Sequence, residues 1–142
     1  MIFSEPDAPI ALHEIADIEA ALNINIPLAV RNLYQKVNGG YPAPFIYETK
    51  SGEIPIAEFL PLRSANRETS VDVYQYFAVE ERLVPIKFFP FANDAGGNYL
   101  FVDTSTPDGR VFILWHDTID PDPLKSLNIG FAEFWASLKQ ES

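Results

Sequence analysis

The chain has 142 residues, 47% of them hydrophobic and 21% charged, and a formal net charge of −10 from 20 acidic and 10 basic side chains. That length and balance describe one globular domain with room for a core rather than a disordered segment. With no cysteine there can be no disulfide, thiol catalysis or Cys-ligated zinc, and the acidic excess argues against nucleic acid, whose phosphates are met by Lys and Arg.

The opening Met1–Pro9 has neither the basic region nor the apolar run of a signal peptide. No stretch approaches the ~20 apolar residues of a membrane helix. The expectation is a cytoplasmic protein without membrane contact.

Residues 1–10, with Pro6 and Pro9, read as an extended lead-in. From Ala11 the pattern is helical: Leu12, Ile15, Ile18 and Leu22 recur at steps of three and four, on one face. Asn23–Ile26 breaks it, and Pro27 has the fixed φ suited to a first helical position. Val30, Leu33, Tyr34 and Val37 make a second stripe, and Asn38-Gly39-Gly40 offers a left-handed cap to end it. Tyr41–Pro44 reads as a rigid loop and Phe45–Glu48 as a short strand. A turn follows over Thr49–Glu53. Ile54–Leu62, broken by Pro55 and Pro61, reads as one or two short edge strands, since proline cannot donate to a ladder. Val71–Glu81 has a helical face of Tyr74, Phe77 and Ala78, capped by Thr69 or Ser70.

Pro85–Phe91 and Tyr99–Asp103 are two apolar runs around Asn93-Asp94-Ala95-Gly96-Gly97-Asn98. Glycine takes positive φ without steric cost, and Asn and Asp bond their own backbone, so the stretch predicts a hairpin placed mid-sheet. Pro90 then belongs at a strand end or a bulge. Thr104–Gly109 is a second turn, and Val111–His116 an apolar strand with both faces buried. Asp117–Pro123 is an acidic, proline-rich loop. Asn128 can cap a last helix whose apolar face is Phe131, Phe134, Trp135 and Leu138.

The run Pro85–Asp103, P-I-K-F-F-P-F-A-N-D-A-G-G-N-Y-L-F-V-D, resembles the central motif of the SUKH superfamily, which joins bacterial toxin-immunity proteins to fungal regulators of cell-wall synthesis and killer-toxin resistance. Ile18–Gly40, I-E-A-A-L-N-I-N-I-P-L-A-V-R-N-L-Y-Q-K-V-N-G-G, is similar to that family's opening, and Gly130–Leu138, G-F-A-E-F-W-A-S-L, to its closing aromatic helix. The positions carrying the resemblance are Glu19, Pro27, Asn38, Gly39, Gly40, Gly96, Gly97, Asp103, Phe131, Phe134 and Trp135. Together with the pattern, the resemblance implies one α+β domain over residues 1–142 with its core at 11–139. Two N-terminal helices, a middle helix and a C-terminal aromatic helix pack on a mostly antiparallel sheet of about five or six strands.

Few residues invite chemistry. Glu19 reads either as a catalytic acid or as an answer to the backbone or a cation at the helix–helix turn; with no partner carboxylate nearby the second is favoured. His116, Asp117, Asp120 and Asp122 lack the glycine and terminal glutamate of a calcium loop, and a solvated acidic loop is favoured. Ser105, His116 and Asp103 make a triad only on paper, with no nucleophile-elbow pattern behind it. The glycine-rich turn leads into a strand, not a helix, and lacks the Lys-Ser/Thr of a P-loop. No cofactor, no metal and no catalysis are expected. The resemblance implies a protein-binding module, most narrowly an immunity protein that covers the active face of a basic toxin domain, often a nuclease. Regulatory scaffold is the alternative, and a small-ligand binder or enzyme the least favoured. The expected contact residues are Asp94, Asp117, Asp120 and Asp122, taken as exposed.

Overall fold

In the computed structural model, which describes residues 1–141, the two leading helices are Leu12–Leu22 (α1) and Leu28–Lys36 (α2). Ile15 on α1 and Val30 and Tyr34 on α2 are buried, as their spacing requires. α1 ends at Asn23 in the left-handed region, φ 55. Pro27 stands one place earlier than expected, as the cap of α2 with φ −55 and ψ 147.

The Asn38-Gly39-Gly40 run does something other than cap a helix. Val37 is already extended, and its amide closes the last turn on the Leu33 carbonyl at 2.9 Å. Asn38 is a buried knot: its Oδ1 accepts the Leu62 amide at 2.8 Å, and its Nδ2 donates to the Ala8 and Arg63 carbonyls at 2.9 and 3.0 Å. Gly39 and Gly40 have φ of +81° and +131°, and a Cβ on Gly40 would stand 2.7 Å from the Ser4 carbonyl oxygen. The glycines are needed because other segments cross against this backbone, a tertiary demand that a helix-stop pattern resembles by accident.

Those crossings turn the expected lead-in and loop into strands. Ile2–Ser4 (β1) pairs antiparallel with Tyr41–Ala43 (β2). The ring of Phe3 lies 5.2 Å from both Phe59 and Trp135, which anchors a pairing too short to persist by itself.

The main sheet is antiparallel and runs in chain order: Ile46–Thr49 (β3), Gly52–Phe59 (β4), Phe88–Asp94 (β5), Tyr99–Asp103 (β6), Arg110–Leu114 (β7) and Leu124–Gly130 (β8). The β5–β6 hairpin is central, as expected, though β5 begins at Phe88 rather than Pro85. Its register slips between Pro90 and Ala92, so Pro90 sits at a bulge. β4, expected at an edge, is interior, because β3 takes the edge beside it and β4 absorbs its own irregularity in a register shift between Ile56 and Glu58. β8 was not expected at all. Asn128 lies inside it at φ 56, its amide bonded to Ser126 Oγ at 3.0 Å, and Gly130 rather than Asn128 precedes the last helix, Phe131–Ala136 (α4). An edge strand of mixed polarity with a bulge carries no clean alternation to read.

The sheet coils until its two edges approach: the Tyr47 hydroxyl of β3 donates to the Leu127 carbonyl of β8 at 3.5 Å. Beyond α4, Lys139 and Ile46 exchange backbone bonds of 2.8 and 3.0 Å, which covers part of β3's outer edge.

Register sorts the central strands into two faces. Phe89, Val102 and Val111 lie across from one another, as do Ala92, Leu100 and Ile113, and all six are fully buried. Here α4 packs, with Phe91 centred 5.0, 5.7 and 5.8 Å from Phe131, Phe134 and Trp135. The other face carries Phe101 opposite Phe112, and Tyr99 opposite Leu114. Its cover comes from the middle helix. Ser70–Tyr74 (α3) starts at Thr69, whose hydroxyl accepts the Asp72 amide at 3.1 Å, and continues as a π-helical turn over Gln75–Glu80. The wider turn carries Phe77 to within 5.2 Å of Tyr99 and 6.0 Å of Phe101, ring centre to ring centre.

Candidate functional site

The π-helical turn covers this second face only in part. Beyond Phe77 a cleft of about 290 Å³ opens, floored by Tyr99 and Leu114 and walled by Leu83, Trp115 and Pro123. Leu83 and Trp115 are 57% and 36% exposed. Both follow from local chain geometry: β7 ends at Leu114, so Trp115, expected inside a buried strand, projects beyond it. Leu83 comes just after Arg82, which turns the chain at φ 53 as the π-helical turn ends.

The hairpin turn sets the cleft's rim. Asp94 Oδ1 accepts the amides of Gly96 and Asn98 at 3.0 and 2.7 Å, and Oδ2 accepts from Asn98 Nδ2 at 2.9 Å. Asn98 Oδ1 in turn accepts the His116 amide at 3.0 Å, and His116 Nε2 stands 2.6 Å from the Gly96 carbonyl oxygen. A carbonyl only accepts, so the ring donates from Nε2. Gly97, at φ +86, lies directly under that ring. Asp94 is therefore 7% exposed and turned into the hairpin. The expectation that its side chain is exposed is corrected: an Asp inside a tight turn satisfies amides that would otherwise be orphaned.

The acidic loop hangs over the same end of the sheet. Asp117, Asp120 and Asp122 are exposed, as expected, and Ile119 is wholly so at 105%. Asp120 Oδ1 accepts the Asp122 amide at 2.9 Å, and Oδ2 pairs with Lys125 at 2.9 Å; amide and ammonium hold the carboxyl below the usual aspartate range. The hydroxyl of Tyr99 donates to Glu68 Oε1 at 2.6 Å. Burial, and then that carboxylate, push the phenol well above the ordinary tyrosine range. Trp115 also borders a wider groove of about 630 Å³ between β3 and β8, above Ile54 and Ile113.

The other sequence candidates lie elsewhere. Glu19 answers the helix–helix turn: Oε2 accepts the Ile26 amide at 2.8 Å and Oε1 lies 3.9 Å from Arg31. Asp103 accepts from the Ser105 amide and hydroxyl at 2.9 and 2.6 Å and lies 3.4 Å from Lys87. His116 is level with the Tyr99 end of β6 and Asp103 is at the other, so strand rise alone sets the paper triad on the order of 13 Å apart. Phe131, Phe134 and Trp135 are core. Among the described residues, no group of three His, Asp or Glu is placed to hold a metal ion, and no helix is long and apolar enough to cross a membrane.

The cleft's walls were missed by sequence reasoning. Leu83 and Trp115 belong to apolar runs, and nothing in a run says where a strand stops. Chemically, the site offers an aromatic-lined hollow whose polar neighbours are mostly engaged already, which suits holding an apolar group. No curated protein and no solved structure gave a significant match to the chain. The sequence model of the SMI1 / KNR4 family (SUKH-1) matches residues 9–137, through both helices, the whole main sheet and the closing helix, and the chain belongs to that family.

Proposed function

We propose that this chain is a non-catalytic protein-binding module and, more narrowly, an immunity protein that acts in the cytoplasm by covering the active face of a cognate bacterial toxin. The observation that carries the reading is the exposed loop bearing Asp117, Asp120 and Asp122 beside an open apolar cleft. A nuclease toxin presents Lys and Arg to phosphate, so an acidic, rigid surface both speeds capture and occludes the substrate. The family's membership among protein-interaction modules supports the same reading.

Co-expression with the toxin encoded beside the gene tests it. The expected result is protection of the host cell and a stoichiometric complex that weakens between low and moderate salt. A toxin that kills regardless, with no complex at low salt, overturns the immunity reading. A cell-wall phenotype on deletion, without a neighbouring toxin, would favour the regulatory scaffold role instead.

A further inference from the structure

The cleft on the second face has a size, a lining and a charge, and together these say what enters it. At about 290 Å³ it lies at the foot of the range of roughly 300–1,000 Å³ occupied by small-molecule pockets, so it suits one bulky side chain better than a nucleotide or a cofactor. Phe77, Leu83, Tyr99, Leu114, Trp115 and Pro123 give it apolar and aromatic walls that accept a ring edge or an aliphatic branch. Around it the charges are mainly negative. The loop supplies Asp117, Asp120 and Asp122, and Glu80 and Glu81 lead into Leu83. Of the two cations nearby, Lys125 is paired to Asp120 and Arg82 is exposed.

A second copy of a chain with net charge −10 would meet its own sign on this surface, and so would an anionic membrane. We propose that the cleft receives a single bulky apolar side chain, flanked by lysine or arginine, from a basic protein partner. Trp115 forms the central contact, since tryptophan at the rim of an apolar hollow is the residue type over-represented at binding hot spots. The fully exposed Ile119, between Asp117 and Asp120, makes the reciprocal insertion into the partner. This inference rests on the protein-binding reading above and gives that reading its anchor.

The test uses blocked pentapeptides as probes, titrated into the ¹⁵N-labelled full chain. One has phenylalanine between two pairs of lysines, one has alanine in its place, and one has glutamates for the lysines. The expected result is that the phenylalanine–lysine peptide shifts the amides of Tyr99, Leu114 and Trp115 and the Trp115 indole. Either change to the peptide should weaken binding about tenfold or more, as should the L83K variant, which puts a cation on the exposed wall without touching the core. Equal binding of the alanine peptide, or shifts centred away from the cleft, overturns the proposal. The two readings fail separately. A toxin bound at full affinity by L83K while the peptide finds no seat removes the cleft and keeps immunity. A peptide seated in the cleft with no toxin captured removes immunity and keeps the cleft.

Discussion

The two faces of the main sheet are made by the same three central strands and have opposite characters. On one, Phe89, Ala92, Leu100, Val102, Val111 and Ile113 are wholly buried, beneath α4. On the other, the same strands present Tyr99 and Leu114 to a cleft that the π-helical turn only partly roofs. On the first face Phe91 is ringed by Phe131, Phe134 and Trp135. At the walls of that cleft Leu83 and Trp115 stay 57% and 36% exposed.

Substitutions that tell the faces apart differ widely in size. Phe91→Ala on the sealed face should cost about 3–5 kcal/mol, read from the urea midpoint at constant slope; a loss under about 1 kcal/mol would mean that face is not the seat of stability. Asn38→Ala should cost about 1–3 kcal/mol, because the buried Leu62 amide loses its acceptor. The check is thermal unfolding, with Asn38→Asp as comparison: it keeps the acceptor but loses both donated bonds.

On the open side the same measurements should barely move. Asp117→Lys with Asp122→Lys should leave stability within about 0.5 kcal/mol. It should slow association with a basic partner several-fold at low salt, an effect that fades as screening shortens the reach of charge. Stopped-flow rates at two salt concentrations decide it, and an unchanged rate at low salt would move the docking surface away from this loop.

The smallest effect is pH-dependent and sits at the far end of the open face. Burial raises the Asp103 carboxyl, but the Ser105 hydroxyl and amide and the Lys87 ammonium outweigh it, so the net shift is downward from 3.8. A depressed carboxyl binds fewer protons folded than unfolded. Its contribution is therefore complete above the unfolded value and is lost as pH falls through the folded one. The stability gap between the native chain and Asp103→Asn should be widest near neutrality and should close in strong acid. A gap that stays constant down to pH ~3 would show that the carboxylate charge is not its source.

Periodicity made the helices and the central hairpin legible. The three- and four-residue steps of α1, α2 and α4 need only helix geometry, and the run Asn93–Asn98 needs only the backbone freedom of glycine and the reach of Asn and Asp. Glu19 was legible too, since a lone carboxylate beside a helix–helix turn has amides to satisfy. Asp94 shows the limit: the same turn chemistry that predicted the hairpin should have turned its carboxylate inward, and reading its charge as surface ignored that.

What the chain's own order of residues determined, then, is the class of fold, the family and the acidic excess, because each is local or additive. Tertiary structure alone decided that Asn38-Gly39-Gly40 is a crossing and not a cap, that β4 is interior, and that β8 exists. It also decided that Trp115 and Leu83 stand in solvent around a cleft. Each of these depends on which distant segment lies alongside. A backbone hydrogen bond or a covering side chain supplied from far away in the chain leaves no mark on the residues that receive it.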